Sequence, residues 1–365
     1  MQINVPDPVT QTYLFSLVFF TALFLSVRKK EAGLTMSREV TTELKGFAIL
    51  AVVFSHIGYF LSTDDRFLFP LSILAGTGVN LFLFLSGFGL TASALKKPLS
   101  IVKFYKKRLS KLFLPLWLTI TLIVIADSIF LGKSYPLLVL IKNYLGFFPS
   151  ADIFTDLDSP LWYFTLIFFY YLLFPLLFWR KFSYLAAPLM LVVTFYLLKQ
   201  PLPIKEPVLN LYKLHFISFP LGVFFAQVIY HEDLTPIKAA AKHFYSKFNL
   251  SLVSIPFFAA IFYYTSFNSG VGLSKTIEQT ISLVTTLSAV FLFAVINLKF
   301  KLFSFFGKYS YEIYLVHWPI LAKYGFLYLY MPAFLATLVY LIIFILLGLL
   351  MQRIQEKLVF KRWRL

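Results

Sequence analysis

The sequence predicts an all-α fold, a polytopic transmembrane helix bundle of about 11 helices, and three observations support this class. Of the 365 residues, 59% are hydrophobic and only 13% are charged. The mean hydropathy is +0.81, which is far above the value for ordinary soluble domains. Apolar stretches long enough to cross a bilayer also recur along the whole chain.

Eleven apolar segments are candidate membrane spans, each about as long as a bilayer-crossing helix. They cover residues 11–27, 44–62, 71–95, 112–132, 161–179, 183–199, 211–230, 251–267, 277–298, 309–330 and 332–351. Arg28 and Lys29 follow the first segment instead of preceding it. We therefore interpret this segment as a retained helix and not as a signal peptide.

The basic residues indicate how the spans are oriented. With the N-terminus outside, most of the 33 Lys and Arg residues fall on inner segments, as the positive-inside rule requires. An odd number of spans then places the C-terminus in the cytoplasm. We expect a multi-pass protein of the cell membrane, in contact with lipids, and no nucleic-acid partner, because the positive charge belongs to loops between spans.

The predicted domain organisation is simple. Residues 1–40 would form an additional N-terminal helix and a basic linker, residues 41–352 one membrane domain, and residues 353–365 a basic cytoplasmic tail. Cysteine is absent, which excludes thiolate nucleophiles and Cys-ligated metals. The five histidines show no close i, i+4 pairing, so we expect no metal site. Their positions are 56, 215, 231, 243 and 317.

The second span carries the main candidate site. It reads ELKGFAILAVVFSHIGYF over residues 43–60, with Lys45 near its start and His56 deep inside. In a helix, these two side chains lie within roughly 20° of the same face and about 16 Å apart along the axis. A cation at the membrane surface suits a phosphate, and an imidazole inside the membrane is a functional candidate. The alternative is a snorkelling lysine and a histidine that only bonds a neighbouring helix.

Two further stretches fit a ligand site near the inner surface. Arg108 and Lys111 lie three residues apart on one helix face, where they could clamp phosphates or bind anionic lipids. Before them, residues 78–90 (GVNLFLFLSGFGL) contain Ser86 among glycines. Small residues of this kind let membrane helices pack closely or leave room for a ligand. Asp127, in the fourth span, is expected to point inward or to lie near water.

Five segments together resemble the acyltransferase-3 family of integral-membrane acyltransferases. They are ELKGFAILAVVFSH at 43–56, GVNLFLFLSGFGL at 78–90, FYKKRLSKLFLPLW at 104–117, SPLWYF at 159–164 and KYSYEIYLVHWPI at 308–320. The resemblance implies transfer of an acyl group, most often acetyl, from cytoplasmic acyl-CoA to a hydroxyl of a carbohydrate or lipid-linked glycan. It also implies a core of ten helices, so the first span would be an addition.

The resemblance carries specific roles onto this chain. It implies that His56 is the catalytic histidine and that Lys45, which stands where the family usually has arginine, is the second catalytic residue of the same motif. It also places Arg108 and Lys111 at the positions of a basic pair that is usually two arginines. Lysine keeps the charge but loses the planar fork that binds phosphate through two hydrogen bonds. Asn80 occupies an often acidic position.

These residues suggest a mechanism with several open choices. His56 would act as general base for direct transfer, and a covalent acyl-His56 intermediate is the second choice. Glu43 or Glu312 could orient its ring. His317 could bind the acceptor or support His56, and the alternative is a packing role.

The expected donor and acceptor contacts complete the site. Lys45, Arg108 and Lys111 would bind acetyl-CoA or another acyl-CoA. Asn80, Ser86, Trp162 and His317 are the substrate-binding candidates, although a tryptophan at the depth of Trp162 commonly serves as an interface anchor.

Two other functions fit parts of the sequence. A glycan transporter or flippase of the same family could use the same basic inner mouth, although internal inverted repeats, which such proteins often have, are not evident. A non-catalytic scaffold would leave the register of Lys45 and His56 without a purpose.

Overall fold

The computed structural model describes residues 2–29, 36–152, 155–230, 251–270 and 274–362, and these ranges are predominantly α-helical. Within them, 8 helical segments are long and apolar enough to cross a membrane. Shorter apolar helices occupy the positions of the three other predicted spans. The predicted polytopic helix bundle is confirmed. Part of the predicted basic linker (30–35), the loop with His231 and His243, and the end of the tail (363–365) lie outside the described residues.

The described helices are numbered in chain order. They are α1 (Pro8–Leu25), α2 (Arg38–Ser55), α3 (Ala75–Lys96), α4 (Ile101–Leu131), α5 (Leu137–Tyr144), α6 (Trp162–Leu177), α7 (Ala186–Leu197), α8 (Glu206–His215), α9 (Ser218–Tyr230), α10 (Ser251–Ser266), α11 (Lys275–Val295), α12 (Lys301–Lys308), α13 (Ser310–Tyr324), α14 (Leu327–Tyr330) and α15 (Ala333–Arg362). A π-helix (His56–Leu61) follows α2 directly, and short 3₁₀ helices cover Leu71–Ile73, Ser159–Leu161 and Arg180–Leu185. Strands β1 (Val27–Lys29) and β2 (Leu298–Phe300) form an antiparallel ribbon.

Helix α2 lies at the centre of the bundle. Ser37 caps its first turn, with its side-chain oxygen accepting the Val40 N–H at 3.2 Å, and this satisfies a donor that the helix itself cannot pair. The helix packs against α3, α12 and α13. In the span formed by α2 and its π-helical extension, 72% of the apolar window is buried, against 17% for α1. Residues on α2 are therefore held by neighbours on several sides.

The N-terminal helix α1 lies at the periphery, against α12 and α15. The chain leaves it through β1, which pairs with β2 and so places Arg28, Lys29 and Lys299 together. Lys299 also forms a salt bridge with Glu39 at 2.6 Å, in the first turn of α2. We call this end of the bundle, where α2 starts, the basic end.

A buried polar cluster ties the opposite end together. Asp127 is fully buried and accepts hydrogen bonds from Lys323 Nζ at 2.6 Å, from the Tyr324 hydroxyl at 2.8 Å and from the Tyr135 hydroxyl. Lys323 also donates to the carbonyl oxygen of Leu157 at 2.9 Å. The expectation that Asp127 faces inward is confirmed, since a lone carboxylate facing lipid would be costly. The cluster fastens the segment between α4 and α6 to α13.

Glycines allow the closest helix contacts. A Cβ on Gly46 of α2 would overlap the carbonyl oxygen of Phe303, and a Cβ on Gly307 of α12 would overlap that of Thr42. The backbones of α2 and α12 can therefore touch, which is how small residues promote helix packing in membranes. This contact holds α2 in place next to the basic end.

Gly46→Ala and Gly307→Ala should each lower the melting temperature in detergent, because the added methyl group meets backbone that cannot move aside. Overpacking of this kind typically costs about 1–3 kcal/mol. Gly89→Ala is the matched control, because a Cβ there meets no described atom within 4 Å. Three equal melting temperatures would contradict the close contact of α2 with α12.

Candidate functional site

Two adjoining cavities lie along α2. The first, of about 280 Å³, is lined by Lys45, Arg108 and Lys111, and we call it the basic cavity. The second, of about 400 Å³, is lined by His56 and His215, and we call it the histidine cavity. Both cavities are also lined by the same three aromatic side chains, Phe82, Tyr163 and Tyr314. These three rings form the partition between them.

The structure brings together the three cations that the sequence singled out. Lys45 comes from α2, while Arg108 and Lys111 lie one turn apart near the start of α4. All three line the basic cavity, and the charges of Arg108 and Lys111 repel that of Lys45. Among the described residues that line this cavity, none is acidic. Clustered cations without a facing carboxylate favour an anionic ligand with several charges.

The remaining wall of the basic cavity is polar and aromatic. Ser86 of α3 faces this cavity and lies beside the hydroxyl of Tyr163. Tyr171 and Tyr311 line it as well. Ser86 is therefore placed close to the partition, where a ligand reaching from the cations toward His56 would pass.

His56 and His317 form the central contact of the site. His56 Nδ1 lies 2.6 Å from His317 Nε2, and the rings stack at 4.8 Å between centroids. On its other side, His317 Nδ1 lies 2.8 Å from the carbonyl oxygen of Tyr314 and 3.1 Å from that of Ile313. Because carbonyls only accept, His317 Nδ1 carries the proton and its Nε2 is the acceptor.

This hydrogen-bond chain fixes the tautomer of His56. Its Nδ1–H donates to His317, so its Nε2 keeps a lone pair, and no described residue bonds that atom. His56 lines the histidine cavity and is half-buried. It also begins the π-helix, a rare element that is frequent at functional sites. A neutral, oriented imidazole with a free nitrogen is the arrangement that a general base requires.

The carboxylates considered as orienting groups lie elsewhere. Glu43 approaches the Ser304 hydroxyl at 3.5 Å, and Glu312 contacts Gln352 and Gln355 of α15. The expectation that one of them orients His56 is therefore wrong. His317 occupies that place, because α13 runs beside α2 and carries it to the same depth.

Asn80 lies behind the histidine cavity and lines neither cavity. It is fully buried, and its side-chain amide donates to Ser282 Oγ at 2.7 Å. Its oxygen accepts from Ser218 Oγ at 2.7 Å and lies 2.8 Å from His215 Nδ1. An amide whose nitrogen and oxygen are both bonded in this way has little hydrogen-bonding capacity left for a direct substrate contact. Asn80 holds the ring of His215 in place.

Trp162 lines the histidine cavity at the start of α6. Its ring stacks on that of His215 at 5.8 Å between centroids, with 19° between the planes. The indole therefore belongs to a cavity wall, a position in which an aromatic face can also meet the apolar face of a sugar. Its substrate contact remains a prediction.

Sequence reasoning missed several lining residues. His215 was grouped with the other histidines, and its signal would have been an imidazole inside a span, which is rare without a partner. Tyr314 lies three residues before His317, on the same face of α13, and Tyr163 lies beside Trp162. Glu278 of α11 also lines the histidine cavity, and its polar neighbours, such as Thr276 and Gln279, made it resemble an ordinary solvated helix end. Among the described residues, no group of three or more His, Asp or Glu side chains could hold a metal ion.

A family model described as an acyltransferase domain matches residues 44–362 of the chain. The match includes the residues that line both cavities, together with Asn80 and His317, and α1 lies outside it. No curated protein and no solved structure matches the chain. The match supports an acyl donor and an acceptor as the substrates, and a membrane environment.

We predict that His317 is a positioning residue for His56. His317→Leu should lower kcat for acyl transfer about 100-fold and leave KM for the acyl donor near the parent value, because His56 loses the acceptor that fixes its tautomer. His317→Gln should recover part of the loss, since its amide oxygen can accept the same hydrogen bond. Steady-state kinetics of both variants, with melting temperatures alongside, test this. Equal loss in both variants, or a rise in donor KM alone, would contradict it.

Proposed function

This chain belongs to the acyltransferase-3 family, and on that premise we propose that it transfers an acyl group from acyl-CoA, with the donor in the basic cavity and the acceptor in the histidine cavity. The acyl group is most simply acetyl. The acceptor is a hydroxyl of a cell-envelope or exported carbohydrate, or of a lipid-linked glycan. The observation that carries this proposal is that the three clustered cations and His56 lie in adjoining cavities.

The donor site follows from charge and length. The phosphates of CoA are anionic, and Lys45, Arg108 and Lys111 offer three cations in one cavity. Along the helix axis, the distance from Lys45 to His56 is about 16 Å. A fully extended pantetheine arm has a comparable length, on the order of 15–20 Å. A CoA whose phosphates lie at the basic end can thus present its thioester at the partition.

The transfer step uses the free nitrogen of His56. His56 Nε2 takes the proton of the acceptor hydroxyl while the oxygen attacks the thioester carbonyl. The carbon–sulfur bond then breaks, and the leaving CoA thiolate takes the proton back from the imidazolium. Throughout, Nδ1–H of His56 remains bonded to His317, which keeps the ring aligned. No second base and no metal is needed for this balance of atoms.

The proposed orientation assigns each cavity to a side of the membrane. The basic end carries Arg28, Lys29 and Lys299, so the positive-inside rule places it in the cytoplasm, where acyl-CoA is found. The histidine cavity then lies toward the outer half of the cell membrane. In this orientation the N-terminus is outside and the C-terminus is cytoplasmic.

His56→Ala should abolish transfer, with kcat reduced about 10²- to 10⁴-fold, which is the usual contribution of a general base. Donor binding should persist, because the cations are untouched. To measure this, radiolabelled acetyl-CoA is supplied to membranes that contain either the parent protein or His56→Ala, and the label transferred to acceptors is counted. Parent-level transfer by His56→Ala would refute the mechanism.

Purified protein distinguishes direct transfer from a covalent intermediate. Rapid denaturation of the parent protein at neutral pH, after mixing with labelled acetyl-CoA and no acceptor, should leave the polypeptide unlabelled if transfer is direct. If the parent polypeptide carries label and the His56→Ala polypeptide does not, the reaction instead passes through an acyl-His56 intermediate.

Arg108→Ala and Lys45→Met should each weaken acetyl-CoA binding about ten- to a hundredfold, because each removes a charge-assisted contact to phosphate worth roughly 1.5–3 kcal/mol. Lys45→Arg should keep or improve it, since the guanidinium adds a second hydrogen bond. Titration of CoA and dephospho-CoA into purified protein measures these affinities.

Lys103→Ala is the matched control for the donor site. Lys103 is an exposed cation on the same helix as Arg108, and it does not line the basic cavity. Its removal should leave CoA affinity unchanged. If Arg108→Ala and Lys103→Ala behave alike, the basic residues bind lipid headgroups and not the donor.

A further inference from the structure

His215 presents a second hydrogen-bond acceptor to the histidine cavity. The ring is buried, with 2% of its surface exposed, yet it lines the cavity. Its Nδ1 lies 2.8 Å from the oxygen of the Asn80 amide, to which it donates. Its Nε2 therefore keeps a lone pair, and no described residue bonds that atom. An acceptor that borders an internal cavity and has no protein partner needs a donor from a ligand or from water.

The ring of His215, like that of His56, is held in place by neighbouring side chains. Asn80 is held by hydrogen bonds to Ser282 and Ser218, which come from α11 and the start of α9. Trp162 covers one face of the His215 ring. Three helices and a stacked indole thus fix one imidazole, although it makes no contact with His56. Such support is expected of a group whose orientation must be exact for binding.

Space for a ligand lies next to this ring. Gly76 of α3 lines the histidine cavity, and a Cβ on Gly76 would stand 3.7 Å from His215 Cε1 and 3.3 Å from Ser282 Oγ. The glycine therefore leaves the approach to His215 open.

The charge of the cavity limits what it can take. Among the described residues that line it, Glu278 is the only one with a formal charge, and no Lys or Arg is present. His56, His215 and Glu278 all offer acceptors. A ligand that satisfies them must present several O–H or N–H donors and no negative charge of its own, because a carboxylate or phosphate would face Glu278 without a cation.

We propose that His215 and Glu278 form an acceptor subsite that selects an uncharged or amino sugar and rejects an acidic one. His215 Nε2 binds a hydroxyl other than the one that is acylated, and Glu278 binds a further hydroxyl or an ammonium group. This inference rests on the proposed function, since it describes the acceptor of the same reaction. Asn80 is a positioning residue in this subsite and acts through His215.

Three sugars test the selection, of which two differ from glucose at a single carbon: the amino sugar at C2 and the acidic sugar at C6. The probes are p-nitrophenyl glucoside, glucosaminide and glucuronide, each assayed with labelled acetyl-CoA and full-length protein in detergent. The parent protein should acetylate the first two and should use the glucuronide at least about tenfold less well, because two like charges would meet in one cavity. A parent that uses the glucuronide equally well, or uses none of the three, overturns the proposal.

Two variants test the residues. His215→Phe keeps an aromatic ring against Trp162 but removes Nε2, and it should raise KM for the glucoside about three- to tenfold, as expected for one neutral hydrogen bond. KM for acetyl-CoA and the melting temperature should remain near the parent values. Glu278→Gln should raise the ratio of kcat/KM for glucuronide over glucoside about tenfold.

Lys275→Gln is the matched control for Glu278. Lys275 lies on the same helix, one turn earlier, bonds Asn210 and does not line the cavity, so its removal should not raise the ratio. An unchanged acceptor KM in His215→Phe, or an unchanged ratio in Glu278→Gln, overturns the proposal. The proposed function fails separately: a parent protein that neither binds CoA nor labels any membrane acceptor from acetyl-CoA would refute acyl transfer itself, whereas CoA affinity that is insensitive to Arg108→Ala would refute the donor site and transfer that survives His56→Ala would refute the role of His56.

Discussion

The hydrogen bond between His56 and His317 is the contact on which the rest of the site depends. It joins the end of α2 to α13. Because a backbone carbonyl determines which nitrogen of His317 carries the proton, it also determines which nitrogen of His56 is left free. Because Tyr314 supplies that carbonyl and its own ring lines both cavities, the same turn of α13 sets the tautomer of His56 and forms part of the partition. The Tyr314 hydroxyl donates to the Pro160 carbonyl oxygen at 2.7 Å, which fixes this turn against the start of α6.

Much of the fold could be predicted because the bilayer imposes a simple rule on sequence. A span must be apolar and about 20 residues long, so the positions of the spans are visible in composition alone. The boundaries were less accessible. The predicted span at 309–330 is divided into α13 and α14, and the predicted tail continues α15 as helix to Arg362. Hydropathy does not reveal a break inside an apolar stretch, as between α13 and α14. It also does not reveal that a helix continues into a basic segment, as at the end of α15.

The site was predictable where its geometry lies within one helix, and it was not where geometry arises between helices. Lys45 lies in α2 and His56 begins the π-helix that continues it without a break, so their spacing followed from helical periodicity. His317 and His215 come from other helices, and the packing that brings His317 to His56 and His215 to the histidine cavity is not encoded in local spacing. Asn80 is an example of a residue whose role local spacing does not determine. Its polar side chain in an apolar span indicated a role, but whether it contacts substrate or another side chain depends on Ser218, Ser282 and His215, which are distant in sequence.

The division into two cavities gives a physical reason for placing this chemistry inside a membrane protein. A thioester in water is exposed to hydrolysis, and exclusion of water from the reacting carbonyl suppresses that side reaction. Phe82, Tyr163 and Tyr314 are large rings that line both cavities, so in the proposed reaction the donor would insert its narrow arm past them while its phosphates stay at the basic end. The proposed acceptor would enter a cavity whose described lining contains no Lys or Arg, and the CoA phosphates would gain nothing there. Different electrostatic character on the two sides of one aromatic partition would thus keep the two proposed substrates in their own cavities and let them meet only at the free nitrogen of His56.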